Sequence, residues 1–196
     1  NAMLKALFDK VFAALALVLL APLMCVIAVA IKLESKGPVF FLQQRHGSDG
    51  RIIRIFKFRT MKDTDIAADK SRQAVRNDPR VTTVGRVLRR SSLDELPQFI
   101  NVLLGDMSVV GPRPHPLSLN EEFVEQIDAY MQRHRVKPGI TGWAQIHGFR
   151  GETQTLEKMQ RRIEYDLYYI EHWSLWLDVK IIIRTLIAGW TGDNAY

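Results

Sequence analysis

The sequence predicts a mostly α-helical protein with a few short β-strands. Three patterns indicate this class: a long apolar N-terminal run, several later segments with helical spacing of apolar residues, and two short alternating runs around a glycine turn. We divide the chain into a membrane-inserted helix over residues 1–36 and a small α/β part over residues 37–196. Amphipathic helices of the second part are expected to lie at the membrane interface.

Composition and charge narrow the classes of function. The chain has 196 residues, a formal net charge of +6 and a pI near 9.6, which favours an anionic partner such as a phosphorylated metabolite or an anionic lipid. The single Cys25 excludes an internal disulfide framework and fits a reducing compartment. The residues Asn1 and Ala2 before Met3 resemble the remnant of an expression tag, and we leave them out of the argument.

The apolar run from Val11 to Ile31 carries no charge and is interrupted only by Pro22. Its length matches the roughly 20 residues that cross a bilayer, so one interpretation is a membrane-spanning helix. The other is a re-entrant helix broken at Pro22, because proline removes a backbone hydrogen bond and clashes with the preceding turn. Lysines at positions 5, 10, 32 and 36 flank both ends, so charge gives no direction for a crossing.

The segment from Trp173 to Trp190 predicts a second membrane-facing element. Its polar residues fall within one side of a helical wheel, and the other face is leucine, isoleucine, valine and tryptophan. The polar set is Ser174, Asp178, Lys180, Arg184 and Thr185. An ordinary helix packed on the core has the same pattern, so lipid contact is a hypothesis that depends on the N-terminal segment.

The remaining segments alternate between helices and short extended pieces. Residues Gly37 to Met61 predict two β runs around a turn between Gly47 and Gly50, and "GDMSVVGPRPHP" predicts a loop with a short extended piece. Residues 63–80 predict a loop or short helix, and "KPGITGWAQIHG" predicts a loop or strand. The predicted helices are Val84–Arg90, Leu93–Leu104, Leu119–Val136 and Leu156–Glu171.

The stretch "RRSSLDELPQ" contains the strongest candidates for chemistry, the adjacent Asp94 and Glu95. Ser92 and Glu95 fit a helix capping box, and Pro97 restricts both acidic residues to the cap or first turn of a helix. An ionised aspartate among arginines either forms a structural ion pair or acts on a phosphate that the arginines hold. For the second use, Glu95 would supply a ligand to Mg²⁺, and Arg113 in "VGPRP" would supply a further cation.

Three motifs together resemble a known family. The segments "KFRTM", "RRSSLDELPQFINVLLGDMSVVGPRP" and "KPGITGWAQIHG" follow a proline-interrupted apolar N-terminus in this order. This arrangement resembles the bacterial sugar transferases, membrane-bound polyprenyl-phosphate phosphoglycosyl transferases of the monotopic type, from about Leu4 to Tyr196. The tail is similar to the catalytic half of larger members that transfer glucose phosphate, so we expect an additional N-terminal region in the natural protein. Smaller relatives have Ser-Pro at the break in the apolar segment, whereas this chain has Ala21-Pro22.

The resemblance implies roles for particular residues. Asp94 would be the nucleophile and Glu95 the Mg²⁺ ligand. Arg89 and Arg113 would bind the diphosphate. Lys57 and Arg59 in "KFRTM" would be further phosphate ligands near the same site. Gln145 and Asp166 would be substrate ligands.

The resemblance also implies a reaction and a location. A UDP-sugar, with UDP-glucose favoured by the tail, would donate hexose-1-phosphate to polyprenyl phosphate and release UMP, as the first step of exopolysaccharide or glycoconjugate assembly. The partners would be the UDP-sugar, undecaprenyl phosphate and membrane lipid, and a homodimer remains possible. The location would be the bacterial inner membrane, with the catalytic part on the cytoplasmic face.

Two other functions stay open at this point. One is the same reaction by single displacement, in which Asp94 positions or deprotonates the acceptor. The other is a non-enzymatic, basic, membrane-anchored adaptor in which the motifs are caps and ion pairs. No signature of an RNA-binding or DNA-binding fold occurs in the sequence, so we expect no nucleic acid partner.

Overall fold

A computed structural model describes residues 2–62, 78–117, 123, 127, 130–151 and 155–188. The described elements are mostly helical with a few short strands, as the sequence predicts. The helices are α1 (Ala2–Glu34), α2 (Thr83–Ser91), α3 (Gln98–Leu104), α4 (Trp143–Ile146), α5 (Leu156–Glu171) and α6 (Leu175–Ala188). The strands are β1 (Phe40–His46), β2 (Ile52–Phe58), β3 (Ser108–Val110) and β4 (Gly139–Thr141), and 3₁₀ turns cover Ser48–Gly50, Leu93–Glu95 and Tyr130–Arg135.

Helix α1 runs without interruption through Pro22. Among the described residues it is the one helix long and apolar enough to cross a membrane. Its buried residues lie near both ends: Asp9 and Ala13 in the first half, Ile27 and Ile31 in the second. The two halves pack on different parts of the same domain, because Ala13 joins the central core and the two isoleucines pack with Phe58 and Leu88. Most of the remaining surface of the helix is exposed and apolar.

Strands β1 and β2 form the predicted hairpin, an antiparallel pair with Phe40 opposite Phe58 and His46 opposite Ile52. Side chains alternate between the two faces of a strand. Arg54 therefore points to solvent, and Lys57, three positions later, points to the opposite face. The two cationic side chains of β2 therefore lie on different faces of the hairpin.

The buried amide of Asn101 ties α3 to β2. Its Nδ2 donates to the Arg54 carbonyl at 2.7 Å, and its Oδ1 accepts from the Phe56 amide at 2.9 Å. The side chain thus bonds to strand backbone as a neighbouring strand would. Because α3 follows the Leu93–Glu95 turn directly, this contact fixes the turn relative to β2.

A central core joins α1, β2, α3, β3, α5 and α6 through eight fully buried apolar side chains. These are Ala13, Ile55, Val102, Met107, Val109, Val110, Tyr169 and Ile181. Strands β3 and β4 lie parallel against it, with Ser108 opposite Gly139 and Val110 opposite Thr141. The β3–β4 pair therefore brings together the two loops that follow its strands.

A polar cluster lies where the first turns of α1 meet the C-terminal helices. We call it the anchor cluster; its members are Lys5, Asp9, Ser108, Tyr169, Trp173 and Asp178. Lys5 Nζ is 2.7 Å from Asp178 Oδ2, and the Tyr169 hydroxyl and the Trp173 indole also donate to Asp178. Asp9 accepts from Ser108 Oγ at 2.8 Å and from the Val109 amide at 3.0 Å. The cluster joins α1 to β3, α5 and α6.

Helix α6 is amphipathic, but the polar residues predicted to lie on one side are divided between buried and exposed positions. Asp178 is fully buried, and Thr185 contacts the Thr141 hydroxyl at 2.6 Å, so part of the polar side faces the domain. The exposed side carries large apolar residues: Trp176, Ile183, Leu186 and Ile187. Residues 63–77, half of the predicted helix Leu119–Val136 and Trp190 lie outside the described residues.

Candidate active site

The acidic pair lies in a short 3₁₀ turn, Leu93–Glu95, between α2 and α3. Ser92 ends α2 in the left-handed conformation, with φ 59° and ψ 15°, which is costly for a residue with a Cβ. Its side chain makes no capping hydrogen bond, so the predicted capping box is wrong. Instead, the chain reverses direction at Ser92, the acidic pair follows in the short turn, and α3 begins only after Pro97.

Glu95 is buried at 6% exposure among three cations. Its Oε1 accepts from Lys57 Nζ at 2.9 Å and from Arg113 Nη2 at 2.8 Å. Its Oε2 accepts from Arg113 Nη1 at 3.2 Å and from Arg150 Nη2 at 3.4 Å. Arg113 thus binds in the bidentate geometry that suits carboxylates and phosphates. These cations, with Arg113 foremost, hold the pKa of Glu95 well below its usual value against the opposing effect of burial.

Asp94 is in the opposite situation. In the part of the chain that the structure describes, its carboxylate accepts no hydrogen bond and forms no ion pair within 4.0 Å. Burial, and then the Glu95 charge, raise the pKa of Asp94, while Lys57, Arg89 and Arg113 oppose the shift. The site therefore contains one carboxylate that is fully occupied and one that is close to cations but unengaged.

The cations reach the pair from separate parts of the chain. Lys57 comes from β2, Arg113 from the loop after β3, and Arg150 from the loop after α4. The β3 and β4 loops are packed backbone against backbone, since a Cβ on Gly139 would lie 2.1 Å from the Gly111 amide nitrogen. No other residue type fits such an approach, which explains the glycines in "VGPRP" and "KPGITGW".

Arg89 lies beside Asp94 and donates through Nε to Thr60 Oγ1 at 2.9 Å. Arg59 is buried, with its guanidinium donating to the carbonyls of Ser35 at 2.9 Å and Lys36 at 2.5 Å, where it closes the end of α1. The structure therefore brings Arg89 to the pair and gives Arg59 a partner on α1. A role for either in phosphate binding remains a prediction.

The two predicted substrate ligands, Gln145 and Asp166, bond to groups other than the acidic pair. Gln145 donates to the Ile140 carbonyl at 3.2 Å, and buried Asp166 pairs with Arg133 at 2.8 Å. Sequence reasoning did not single out Arg150. It lies in "HGFRG", just after a motif loop of the resemblance, and that position is the only signal that could have drawn attention to it.

The donor set is of the kind that Mg²⁺ uses, because Mg²⁺ takes one or two carboxylates together with substrate phosphate oxygens. Both oxygens of Glu95 already accept from cations, and its longest contacts are those of Oε2. Asp94 keeps its carboxylate unengaged within the described residues. The pair fits a Mg²⁺ ion provided that a bound phosphate draws Arg113 or Arg150 away from Glu95 Oε2.

Comparison with known proteins finds a family and several relatives. A profile of the family described as bacterial sugar transferase matches residues 1–192. The chain is 57% identical, over 100% of its length, to the UDP-glucose:undecaprenyl-phosphate glucose-1-phosphate transferase of Escherichia coli (strain K12), of which it covers 42%. It is 46% identical, over 99% of its length, to the UDP-N-acetylgalactosamine-undecaprenyl-phosphate N-acetylgalactosaminephosphotransferase of Aeromonas hydrophila, of which it covers 45%.

A shorter relative matches the chain from end to end. The exopolysaccharide production protein PSS of Rhizobium leguminosarum bv. phaseoli is 43% identical over 98% of both chains. The chain spans about two fifths of the length of the first two relatives. Since the family profile covers nearly every residue described above, the chain belongs to the bacterial sugar transferase family.

Proposed function

We propose that this chain transfers hexose-1-phosphate from a UDP-sugar to undecaprenyl phosphate, and that Asp94 carries the sugar phosphate between the two. The observation that supports this most directly is the unengaged Asp94 carboxylate next to a carboxylate saturated by cations. Transfer between anions requires charge neutralisation and alignment above all. Four cations from separate elements, Lys57, Arg89, Arg113 and Arg150, meet that requirement at this pair.

In the first step, an Asp94 oxygen forms a bond to the phosphorus that carries the sugar. The bond from this phosphorus to the bridging oxygen of the diphosphate breaks, and UMP leaves with that oxygen. Arg113 and Arg150 are placed to bind the diphosphate, because both already bind carboxylate oxygens in the same site. The raised pKa of Asp94 makes its ionised form more basic and so a stronger nucleophile, provided that the carboxylate is ionised at the working pH.

In the second step, an oxygen of the lipid phosphate attacks the same phosphorus. The bond to Asp94 breaks, the carboxylate is regenerated, and the product is a polyprenyl-diphosphate sugar. Because the two steps share one phosphorus and one set of cations, a single site serves both substrates in turn.

We further propose that Mg²⁺ is required and that Glu95 holds it, together with phosphate oxygens. When bound, the ion would offset the negative charge that accumulates on the diphosphate. Lys57 would then keep Glu95 ionised. Arg113 and Arg150 would move from Glu95 towards the phosphates of the substrate.

The membrane supplies the lipid acceptor, and α1 with the exposed apolar face of α6 would hold the site at the interface. Both halves of α1 pack on the same domain, which supports a helix that enters and leaves on one side of the bilayer more than one that crosses it. We place the domain on the cytoplasmic face, where UDP-sugars are available.

Glucose is the sugar that we propose. The 57% identical relative from Escherichia coli is named for glucose, whereas the 46% identical relative from Aeromonas hydrophila is named for N-acetylgalactosamine. The choice therefore depends on similarity and not on a described sugar contact. A screen of UDP-sugars for UMP release that depends on undecaprenyl phosphate tests it directly.

One experiment separates the covalent route from single displacement. Purified protein in nanodiscs is mixed with Mg²⁺ and UDP-glucose without the lipid acceptor. The covalent route predicts a burst of UMP stoichiometric with enzyme and a hexose-phosphate adduct on the peptide that contains Asp94. Folded protein that releases UMP only with the acceptor, and shows no adduct, contradicts the covalent step. Folded protein that releases no UMP even with the acceptor, for any UDP-sugar, supports the adaptor instead.

A further inference from the structure

Beneath the site lies a layer of four buried polar side chains that the proposed chemistry does not use. We call it the inner layer; its members are His115, Arg133, Arg162 and Asp166, each at most 4% exposed. Burial of charge costs free energy unless it is paired. The layer has two arginines for one carboxylate, and among the residues that the structure describes the Nε groups of both arginines have no acceptor. Stability alone does not explain such an arrangement.

Arg133 connects this layer to the first arginine loop. Its Nη2 donates to the backbone carbonyl of Arg113 at 2.6 Å and to Asp166 Oδ2 at 2.8 Å. Asp166 lies on α5, which is anchored in the hydrophobic core through Tyr169. The backbone of Arg113 is thus fixed to a rigid helix through one guanidinium.

Arg162 makes the matching connection to the second loop. It lies one turn before Asp166 on the same helix, and its Nη2 donates to the carbonyl of Gly151. Gly151 directly follows Arg150, whose guanidinium contacts Glu95. One face of α5 therefore holds both loops whose arginines meet on Glu95.

His115 lies between the two arginines of the layer. Its Nδ1 is 2.6 Å from Arg133 Nη1 and 2.8 Å from the Tyr130 hydroxyl, and its Nε2 is 3.2 Å from Arg162 Nη1. Burial, then the charges of Arg133 and Arg162, hold the pKa of His115 well below its usual value. The imidazole is therefore neutral and adds no third positive charge, and its one unprotonated nitrogen can accept from one of the two guanidinium groups.

We propose that the inner layer consists of positioning residues that set the spacing between Arg113 and Arg150 for the two phosphates of a nucleoside diphosphate. This inference rests on the proposed function and refines it. Asp166 then acts through Arg133 and does not touch the substrate. A fixed spacing matters for a ligand with two phosphates, because both arginines must engage it at once, and an error near 1 Å can cost a factor on the order of 10².

The test compares the binding of UDP with that of UMP, in detergent or nanodiscs, by calorimetry. In Arg162→Gln the Gly151 carbonyl loses its guanidinium partner. We expect UDP to bind about 10-fold more weakly and UMP to change less than about 2-fold, because UMP needs only one arginine. The matched control is Arg161→Gln, the exposed neighbour on α5 that pairs only loosely with Glu164 at 3.8 Å, which should change neither affinity.

Asp166→Asn gives a second, nearly isosteric variant if Arg162→Gln does not fold. The substitution removes the charge that pairs with the Arg133 guanidinium, and we expect the same selective loss of UDP affinity. A variant with unchanged melting temperature that loses UDP and UMP affinity equally, or loses neither, overturns the positioning role. An unmodified chain that binds UDP but transfers no sugar phosphate contradicts the proposed function and leaves this binding test intact.

Discussion

The candidate site and the anchor cluster both bring acidic side chains to cations, but the ratio of cations to carboxylates differs between them. At the candidate site, four cations surround two carboxylates, and Asp94 engages none of them directly. In the anchor cluster, Lys5 alone faces Asp9 and Asp178, and both carboxylates accept hydrogen bonds from hydroxyl, indole or backbone groups. Among the described residues, the first cluster leaves the Asp94 carboxylate without a direct partner, whereas both carboxylates of the second cluster are hydrogen-bonded.

We interpret this difference as that between a ligand-binding site and a cluster that stabilises the fold. Polar groups that serve only structure find partners inside the protein, because an unmet one costs free energy. Groups that serve a substrate keep part of their capacity unused until it binds. We therefore expect substitutions at the first cluster to change rates and those at the second to change stability.

Asp94→Asn should have the largest effect. The amide cannot form the covalent intermediate, so turnover should fall by about 10⁴-fold or more, in the range for loss of a catalytic nucleophile. The melting temperature should rise, because the variant removes a carboxylate whose ionised form is disfavoured by burial and by Glu95. Acceptor-dependent UMP release and calorimetry measure the two effects. Normal turnover by this variant would remove the basis for the proposed function.

Glu95→Gln should affect both rate and stability. It leaves Lys57, Arg113 and Arg150 without their shared carboxylate, which should cost about 3 kcal/mol, the lower end for breaking a buried ion pair. The rate should fall by about 10²-fold, and the concentration of Mg²⁺ for half-maximal rate should rise. An unchanged Mg²⁺ dependence would argue against Glu95 as a ligand of the ion.

The stability of Glu95→Gln also carries a pH signature. Because the pKa of Glu95 is lower in the folded than in the unfolded protein, its contribution is complete above its ordinary value of 4.5 and is lost as pH falls through the folded pKa. The difference between parent and variant in urea unfolding should therefore shrink only in strong acid.

Asp178→Asn tests the second cluster. The variant loses the ion pair with Lys5 but keeps an acceptor for Tyr169, so we expect a loss of about 3 kcal/mol in unfolding free energy. Turnover of the folded fraction should stay within about 3-fold of the parent, since Asp178 contacts no active-site residue. A rate loss comparable to that of Glu95→Gln would show that the two clusters are not separable.

The pH dependence of the rate should show the smallest effect. The proposed reaction needs ionised Asp94, and the pKa of this carboxyl lies above its usual value of 3.8 because of burial and the Glu95 charge. The single-turnover rate should therefore be full at neutral pH and fall as pH decreases through a midpoint above that value. A midpoint at or below 3.8 would contradict the described environment of Asp94.

Local patterns predicted the elements well. Helix α5 has the predicted bounds Leu156–Glu171, and the hairpin turns where the glycines indicated. The predicted helix Leu93–Leu104 is shorter in the structure, because α3 begins at Gln98 after Pro97 and the acidic pair lies in a separate turn before it. These features depend on spacing along the chain and on backbone chemistry, both of which are visible in sequence. The acidic pair was identifiable for the same reason, because neighbours in sequence are neighbours in space.

Long-range contacts were harder to predict. The capping box failed because Ser92 adopts a left-handed conformation and ends α2 instead of starting the next helix. Arg150 reaches Glu95 from 55 positions away, and Arg133 reaches Asp166 from 33 positions away, so no local pattern indicates either pair. Asp178, from the polar side of α6, faces inward because Lys5 and Tyr169, from other helices, provide partners for it, whereas Lys180 and Arg184 of the same set are exposed.

Helix α1 contacts the rest of the domain in two regions, so the rotation of the helix between them must be kept for both contacts to form. Asp9 holds β3, the strand that leads into Arg113, and Ile27 and Ile31 hold the region next to α2. One extra residue between these regions would rotate one relative to the other by about 100°. A bend or twist between the two contact regions of α1 is therefore expected to change the orientation of β3, the strand that leads into Arg113.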